Sequence, residues 1–253
     1  AAVFLFLLAC LSGFSQNIKI DSLKSIVETG VKDTTMVNTL IVLSDAVLQN
    51  DDLTGFLNYS EQANELATLI NFNKGKAYAL KNIGISYYFS GDYLKVFDYW
   101  TQSLETFEAI QDTVGMSNML NNLGGIYLSQ GSNAKALDYY LKSLSLAEKI
   151  KNPLRITSVL PNIGGVYGDL EEYDKALNYF NQMEQYLTGL NNPQITTFYL
   201  MGVGEVYRKM GNFDMALKFY EEVLPINKDN DNYAHILTML GQIEFNKGNI
   251  DKS

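Results

Sequence analysis

The chain repeats one pattern of residue size and polarity every 40 residues, with a shorter last interval of 37, and this repetition constrains its possible folds more than any other feature. The segment NNLGGIYLSQGSNAKALDYY begins at Asn121, and PNIGGVYGDLEEYDKALNYF begins at Pro161. Residue identity drifts between copies while size and polarity are kept, which is typical of a packing arrangement repeated along a chain. One small residue aligns the copies, and we call its place position 0. Position 0 is occupied by Ser44, Gly84, Gly124, Gly164, Gly204 and Gly241.

The residues around position 0 predict a helix. Leu120, Leu123 and Tyr127 lie at −4, −1 and +3 relative to Gly124. The spacing i, i+3, i+7 places them on one helical face. The same template fits the other copies, most weakly the first and the last. Each copy is therefore expected to begin with an amphipathic first helix.

A second helical pattern follows each first one. A glycine such as Gly91 usually separates the two at +7, where a helix should end, and Glu171 is the exception. Beyond this turn, a small or medium residue at +12 and a large aromatic at +16 recur, as in Ala136 and Tyr140. Glycine at position 0 is expected to let two helix backbones approach, with aromatics filling the space around them. The pattern thus predicts antiparallel helical hairpins.

Four prolines provide further boundary signals. Pro153 and Pro193 lie 40 residues apart and are predicted to open first helices, where the missing N–H costs no hydrogen bond. Pro225 is predicted to end its helix early. Pro161 falls at −3 within a first helix, where it should free a carbonyl and kink the helix locally.

The Leu-Gly pair, the following tyrosine, the small residue and the aromatic together resemble the tetratricopeptide repeat. The 40-residue period is most similar to the long-repeat branch found in kinesin light chain, although Ser60 replaces the aromatic in the first copy. The resemblance implies an all-α, right-handed α-solenoid of about six hairpins over residues 34–253. Residues 16–33 are expected to form an N-terminal helix and linker, with Asp21 to Glu28 covering the first repeat.

Three asparagines are the strongest candidates for a functional role. Asn82, Asn122 and Asn162 all lie at −2, which we predict to be off the packing face of the first helix. In the family that this chain resembles, first helices line a concave groove, and amides there can hold an extended peptide. The alternative is that asparagine is simply tolerated on a helix surface. The same register adds Lys81, Asn121, Tyr88, Phe89, Arg208 and Lys209 to the predicted groove.

Composition argues against several other functions. The chain has 19 Lys and Arg against 28 Asp and Glu, a net charge of −9, which disfavours nucleic acid as a partner. Cys10 is its only cysteine and His235 its only histidine, so no zinc site of these two residue types can form. No nucleophile motif surrounds any serine, and carboxylates such as Glu171 and Glu221 fall in turns or on second helices. We therefore expect no catalysis, metal or cofactor, although an enzyme is the rival class.

The first residues are typical of an export signal. The stretch from Ala1 to Phe14 is apolar but shorter than the roughly twenty residues that span a bilayer. Gly13 and Ser15 suit cleavage before Gln16, which gives a signal peptide over residues 1–15, truncated at its start. Alternatively, LLAC is a lipobox and Cys10 carries a lipid. Both readings predict a periplasmic or other extracytoplasmic location in a bacterium.

The C-terminal residues suggest that more protein follows. GNIDKS falls inside the second helix of a sixth repeat, which would leave an apolar face uncovered. Exported arrays of this kind look like the sensory regions of bacterial membrane signalling proteins. Their output is a cyclase, a histidine kinase or a DNA-binding domain. The alternative is a free-standing exported adaptor that binds a protein or peptide without any output domain.

Overall fold

The computed structural model describes residues 13–226 and 232–248, and within them every regular element is helical. The all-α prediction is therefore confirmed for this part of the chain. Of the signal peptide predicted over residues 1–15, residues 1–12 lie outside the described residues, as do the lipid predicted on Cys10 and the end of the sixth repeat. The helices are α1 (Gly13–Thr29), α2 (Thr34–Leu48), α3 (Leu53–Leu69), α4 (Asn73–Ser90), α5 (Tyr93–Ala109), α6 (Thr113–Ser129), α7 (Asn133–Lys149), α8 (Pro153–Asp169), α9 (Tyr173–Leu190), α10 (Pro193–Lys209), α11 (Phe213–Val223) and α12 (Asn232–Asn246).

The helix boundaries follow from local signals in the sequence. Gly91 has a φ of 77° at the C-terminus of α4, in the left-handed region that glycine enters without strain. Glu171 adopts a similar φ of 60° after α8, so the turn forms even where glycine is missing. At the other end, Asp52 and Asp92 each accept a backbone N–H in the first turn of the helix that follows. The first helices contain every position 0, as the repeat predicts.

The prolines act largely as predicted. Pro153 and Pro193 are the first residues of α8 and α10. Pro225 lies in a 3₁₀ turn, Leu224–Ile226, that directly follows α11, and α11 has 11 residues where the other second helices have 17 or 18. Helix α8 continues through Pro161 to Asp169, and the kink predicted at this proline stays a prediction.

The chain divides into two compact units between Ser132 and Asn133. The first unit contains α1 to α6, in which α2 packs on α3 and α4 on α5 as hairpins. Helix α1 includes the predicted Asp21–Glu28 segment and buries Ile20 beside Leu43 and Phe56. The N-terminal helix thus adds apolar surface to the first hairpin.

The second unit contains α7 to α12. Helices α8 and α9 form one hairpin, and α10 and α11 form another. Ala216 and Tyr220 of α11 share an apolar cluster with Ile243 of α12, and all three are buried. The small residues at +12 and the aromatics at +16 that the structure describes in this unit are all buried: Ala136, Ala176, Ala216, Tyr140, Phe180 and Tyr220.

The glycine at position 0 faces an aromatic ring of the second helix. We had predicted that it would face the backbone of another helix. A Cβ atom added to Gly84 would lie 2.3 Å from Cδ1 of Trp100, and one added to Gly164 would lie 2.7 Å from Cε2 of Phe180. Real Cβ atoms do not approach so closely, so the +16 aromatic occupies the space that a side chain at position 0 would need. Glycine is therefore required at Gly84 and Gly164 by the aromatic ring on the second helix of the same hairpin, whereas Ser44 occupies position 0 in the first repeat.

The tyrosine at +3 packs against an aromatic ring and a lysine of the second helix, a contact that we did not predict from the repeat pattern. Tyr87 stacks on Tyr99 with ring centroids 5.5 Å apart, and Nζ of Lys95 lies 4.4 Å from the Tyr87 centroid. A lysine at +11, a tyrosine at +3 and an aromatic at +15 thus form a sandwich across one hairpin. The recurrence of all three residues in the sequence could have predicted it. The second example consists of Lys175, Tyr167 and Tyr179.

Candidate peptide-binding surface

In the first unit, the predicted row of asparagines begins with a residue that is entirely buried. Asn82 has no exposed surface, and its Nδ2 donates to Oγ of Ser44 at 3.1 Å and to Oδ1 of Asp45 at 2.9 Å. The prediction that Asn82 lies off the packing face is therefore wrong. Its amide joins α4 to α2, and the Oδ1 atom is buried without a hydrogen-bond partner among the described residues.

The corresponding residue of the next repeat is more accessible. Asn122 on α6 is half-buried, as are Asn121 beside it and Lys81 on α4. Nζ of Lys81 lies 5.5 Å from the ring centroid of Tyr78 one turn earlier, so the ammonium contacts an aromatic face. These side chains place amide and cationic groups on the first helices of the first unit, as predicted.

Tyr88 belongs to a cluster of rings at the end of α4. It stacks on Trp100 with centroids 6.3 Å apart, and it meets Phe89 and Tyr93 edge to face at 6.3 and 5.9 Å. Trp100 is anchored by its Nε1, which donates to the carbonyl of Lys81 at 3.0 Å. Tyr88 is thus held firmly and only half-buried, so part of its ring surface remains accessible.

In the second unit, Asn162 is half-buried on α8. Its Nδ2 donates to the carbonyl of Ser158 in the same helix at 3.3 Å. This long intrahelical bond engages one amide proton of Asn162. Asn162 and Asn122 are thus both half-buried, whereas Asn82 is fully buried.

The cations predicted for the second unit are paired with carboxylates. Nε and Nη2 of Arg208 donate to the two carboxylate oxygens of Glu205 at 2.7 and 2.6 Å, and Tyr220 also donates to Glu205 at 3.2 Å. Lys209 forms an ion pair with Asp169. These two carboxylates were not predicted, and they neutralise the positive charge expected at this end of the surface. Arg208 keeps one guanidinium edge that Glu205 does not use.

Among the described residues, no three histidine, cysteine, aspartate or glutamate side chains come together as metal ligands would. In the same part of the chain, none of the helices combines the length and apolar character that a bilayer span requires.

Family comparisons match the repeat assignment. Residues 115–185 match one family model described as tetratricopeptide repeat, and residues 200–232 match a second with the same description. No protein of curated function matches the chain at the level of sequence.

Solved structures resemble the whole fold. BtubC (BKLC) from P. vanneervenii is 18% identical with a TM-score of 0.68, over 84% of this chain and 88% of that one. NprR in complex with its cognate peptide NprX is 13% identical with a TM-score of 0.67, over 96% and 76% of the two chains. A kinesin light chain protein of Podospora anserina with nearly identical TPR-like repeats is 12% identical with a TM-score of 0.61, over 78% and 97%. The fold class is therefore the α-solenoid of helical hairpins, while its right-handedness stays a prediction.

Proposed function

Because this chain is a tetratricopeptide-repeat protein, we propose that it is a non-catalytic scaffold that binds a protein or an extended peptide on its first helices. The observation that carries this proposal is the half-buried amide at the same register of α6 and α8, in Asn122 and Asn162. An amide offers a donor and an acceptor at once, which is what an extended peptide backbone requires. NprR, which has a similar fold, has been solved with its cognate peptide.

We propose that only some of the predicted groove residues contact the peptide. Asn82 uses its amide to join two helices, so we assign it to the scaffold and leave peptide contacts to Asn122 and Asn162. Lys81, Asn121 and Tyr88 flank this register in the first unit as half-buried side chains. Arg208 would contribute only the guanidinium edge that Glu205 does not use.

A peptide-display selection against the purified protein, followed by calorimetry on the selected peptides, tests the proposal. Each amide lost should weaken binding by about 0.5–1.5 kcal/mol, so Asn122→Ala or Asn162→Ala should raise the Kd several-fold. Asn178 is exposed on the second helix α9, and Asn178→Ala is therefore the matched control. If neither Asn122→Ala nor Asn162→Ala affects any selected peptide, the amides do not bind peptide and the proposal fails.

We also propose that the scaffold is the extracytoplasmic sensory part of a bacterial signalling protein, with a free-standing exported adaptor as the alternative. The support is the apolar stretch from Ala1 to Phe14. Mass spectrometry of the protein from its native host should find a chain that begins at Gln16, or a lipidated Cys10. Retention of residues 1–15 without modification would contradict export. The coding sequence after Ser253 distinguishes a signalling protein, which continues into an output domain, from an adaptor, which does not.

A further inference from the structure

The turn between α4 and α5 carries an apolar surface that the amide-lined helices do not explain. It consists of Tyr88, Phe89, Tyr93 and Leu94, which we call the turn patch. Phe89 is 38% exposed, Tyr93 42% and Leu94 87%. The three side chains lie in one short segment and expose large apolar groups to water. Contiguous apolar surface of this kind is unfavourable in water and usually marks an interaction site.

The turn patch is specific to the second repeat. Phe89, Tyr93 and Leu94 occupy positions +5, +9 and +10, and the second repeat is the one in which all three are apolar. Since every hairpin needs the same turn, packing of the repeat cannot account for this difference. The corresponding residues are Ser129, Asn133 and Ala134 in the third repeat, Asp169, Tyr173 and Asp174 in the fourth, and Lys209, Phe213 and Asp214 in the fifth.

The rings of the turn patch are preorganised. Tyr88 meets Phe89 at an interplanar angle of 80° and Tyr93 at 77°, and the buried Trp100 stacks beneath it. Perpendicular rings present faces in more than one direction, and each face attracts a cation. The lysine of this turn, Lys95, lies over Tyr87 and pairs with Asp92.

Charge determines which partner fits such rings. Residues 1–132 contain 13 Asp and Glu against 7 Lys and Arg, a net charge of −6 out of −9 for the whole chain. This unit therefore attracts a basic partner and repels an acidic one. Aromatic faces add a short-range preference for guanidinium and ammonium groups over other polar groups.

We propose that the turn patch is a docking site for a basic segment of another protein, in which arginine or lysine side chains cover the rings and an apolar side chain contacts Leu94. The turn patch shares Tyr88 with the side chains that flank the amide register, but the proposal does not depend on the function proposed above. It would give the scaffold a second interaction surface at the edge of the first unit.

Trp100 provides a direct readout, because it is the only tryptophan of the chain and stacks on Tyr88. A synthetic peptide of alternating arginine and leucine should change Trp100 fluorescence in a saturable way. The same peptide with glutamate in place of arginine should not. Equal binding of the glutamate peptide would overturn the proposal.

The matched variant transfers the third-repeat residues to the second repeat: Phe89→Ser, Tyr93→Asn and Leu94→Ala. None of these changes alters the net charge, so general attraction between the acidic protein and a basic peptide is kept. The variant should bind the arginine peptide at least tenfold more weakly. Leu94→Ala alone, at a side chain that is 87% exposed, should weaken binding measurably with an unchanged melting temperature. Unchanged affinity in both variants would overturn the proposal.

Three other outcomes would also contradict it. Loss of arginine-peptide binding in Asn122→Ala, with the triple variant unaffected, would place the peptide on the amide register instead. Binding to phosphatidylcholine vesicles that the triple variant loses would identify the turn patch as a membrane contact. A concentration-dependent dimer that dissociates in the triple variant would identify a second copy of this chain as the occupant. If the turn patch binds the arginine peptide, Asn122→Ala should leave that binding intact. This result is expected whether the function proposed above is right or wrong.

Discussion

The side-chain amide of Asn82 donates to the hydroxyl oxygen of Ser44 across 3.1 Å, which ties the first helix of one hairpin to the first helix of the preceding one. The same Nδ2 reaches Oδ1 of Asp45 at 2.9 Å. The Ser44 hydroxyl in turn donates a hydrogen bond to the carbonyl of Ile41 at 2.8 Å, so this hydroxyl both donates and accepts. A residue predicted to contact a ligand is therefore part of the packing between repeats.

Asn82→Ala is expected to destabilise the fold. It removes two hydrogen bonds from a fully buried site and leaves a small cavity, which together should cost about 1–3 kcal/mol. Urea unfolding followed by circular dichroism would measure the loss. Asn122→Ala is the control, since Asn122 is half-buried at the same register and should change the free energy of unfolding much less. Equal effects of the two substitutions would refute the assigned role of Asn82.

Adjacent glycines of α8 should respond in opposite directions to alanine. A Cβ at Gly164 would lie 2.7 Å from Phe180, so Gly164→Ala must displace a buried ring and should cost roughly 1–3 kcal/mol. Gly165 has open space around the same position, and Gly165→Ala should stabilise the helix by about 0.5–1 kcal/mol. Thermal melts of the two variants, compared with the parent, test both signs. A stabilised Gly164→Ala protein would show that Phe180 moves without cost.

The turn after α8 should be improved by glycine. Glu171 has a φ of 60°, where a residue with a Cβ is strained by about 1 kcal/mol, while the equivalent Gly131 has a φ of 75°. Glu171→Gly is therefore expected to raise the melting temperature. Gly131→Ala should lower it although nothing lies within 4 Å of the added Cβ, because the cost comes from the backbone angle alone. If both substitutions are neutral, strain at this angle does not limit stability.

Buried tyrosines should make the protein sensitive to alkali. Burial, with smaller contributions from Glu184 and other neighbours, raises the pKa of Tyr199 from 10.0 to about 12. Burial raises the pKa of Tyr140 and Tyr220 as well. At a pH above 10.0 but below its raised pKa, each of these tyrosines keeps its proton in the folded state and has lost it in the unfolded state. The free energy of unfolding should fall by up to about 1.4 kcal/mol per pH unit for each such tyrosine.

The measurement is urea unfolding at several pH values from about 9 to about 12, with phenolate absorbance recorded alongside. Tyr140→Phe removes one of these groups while keeping the ring, so its stability should decline less steeply with pH than that of the parent. The same slope in both proteins would show that Tyr140 ionises freely in the folded state.

Much of the fold follows from the sequence because its signals are local. Apolar spacing around position 0 specifies a helical face, and glycine at +7 specifies a left-handed turn. Both depend on residues within a few positions of one another. Pro153 and Pro193 open helices for an equally local reason, since proline at the first position lacks only an N–H that has no partner there. The hairpins and their boundaries could therefore be predicted without any knowledge of tertiary contacts.

The candidate surface depends on residues that are distant in the sequence. Asn82 and Asn122 share one register, yet only Asn82 finds a serine hydroxyl and a carboxylate on the preceding first helix. At the positions that hold Ser44 and Asp45, the next first helix carries Gly84 and Ile85, which offer no side-chain acceptor. The 40-residue pattern by itself determined that each asparagine lies on a first helix, at −2. Only the tertiary structure decided which amide is buried, because burial depends on the neighbouring helix that the amide meets.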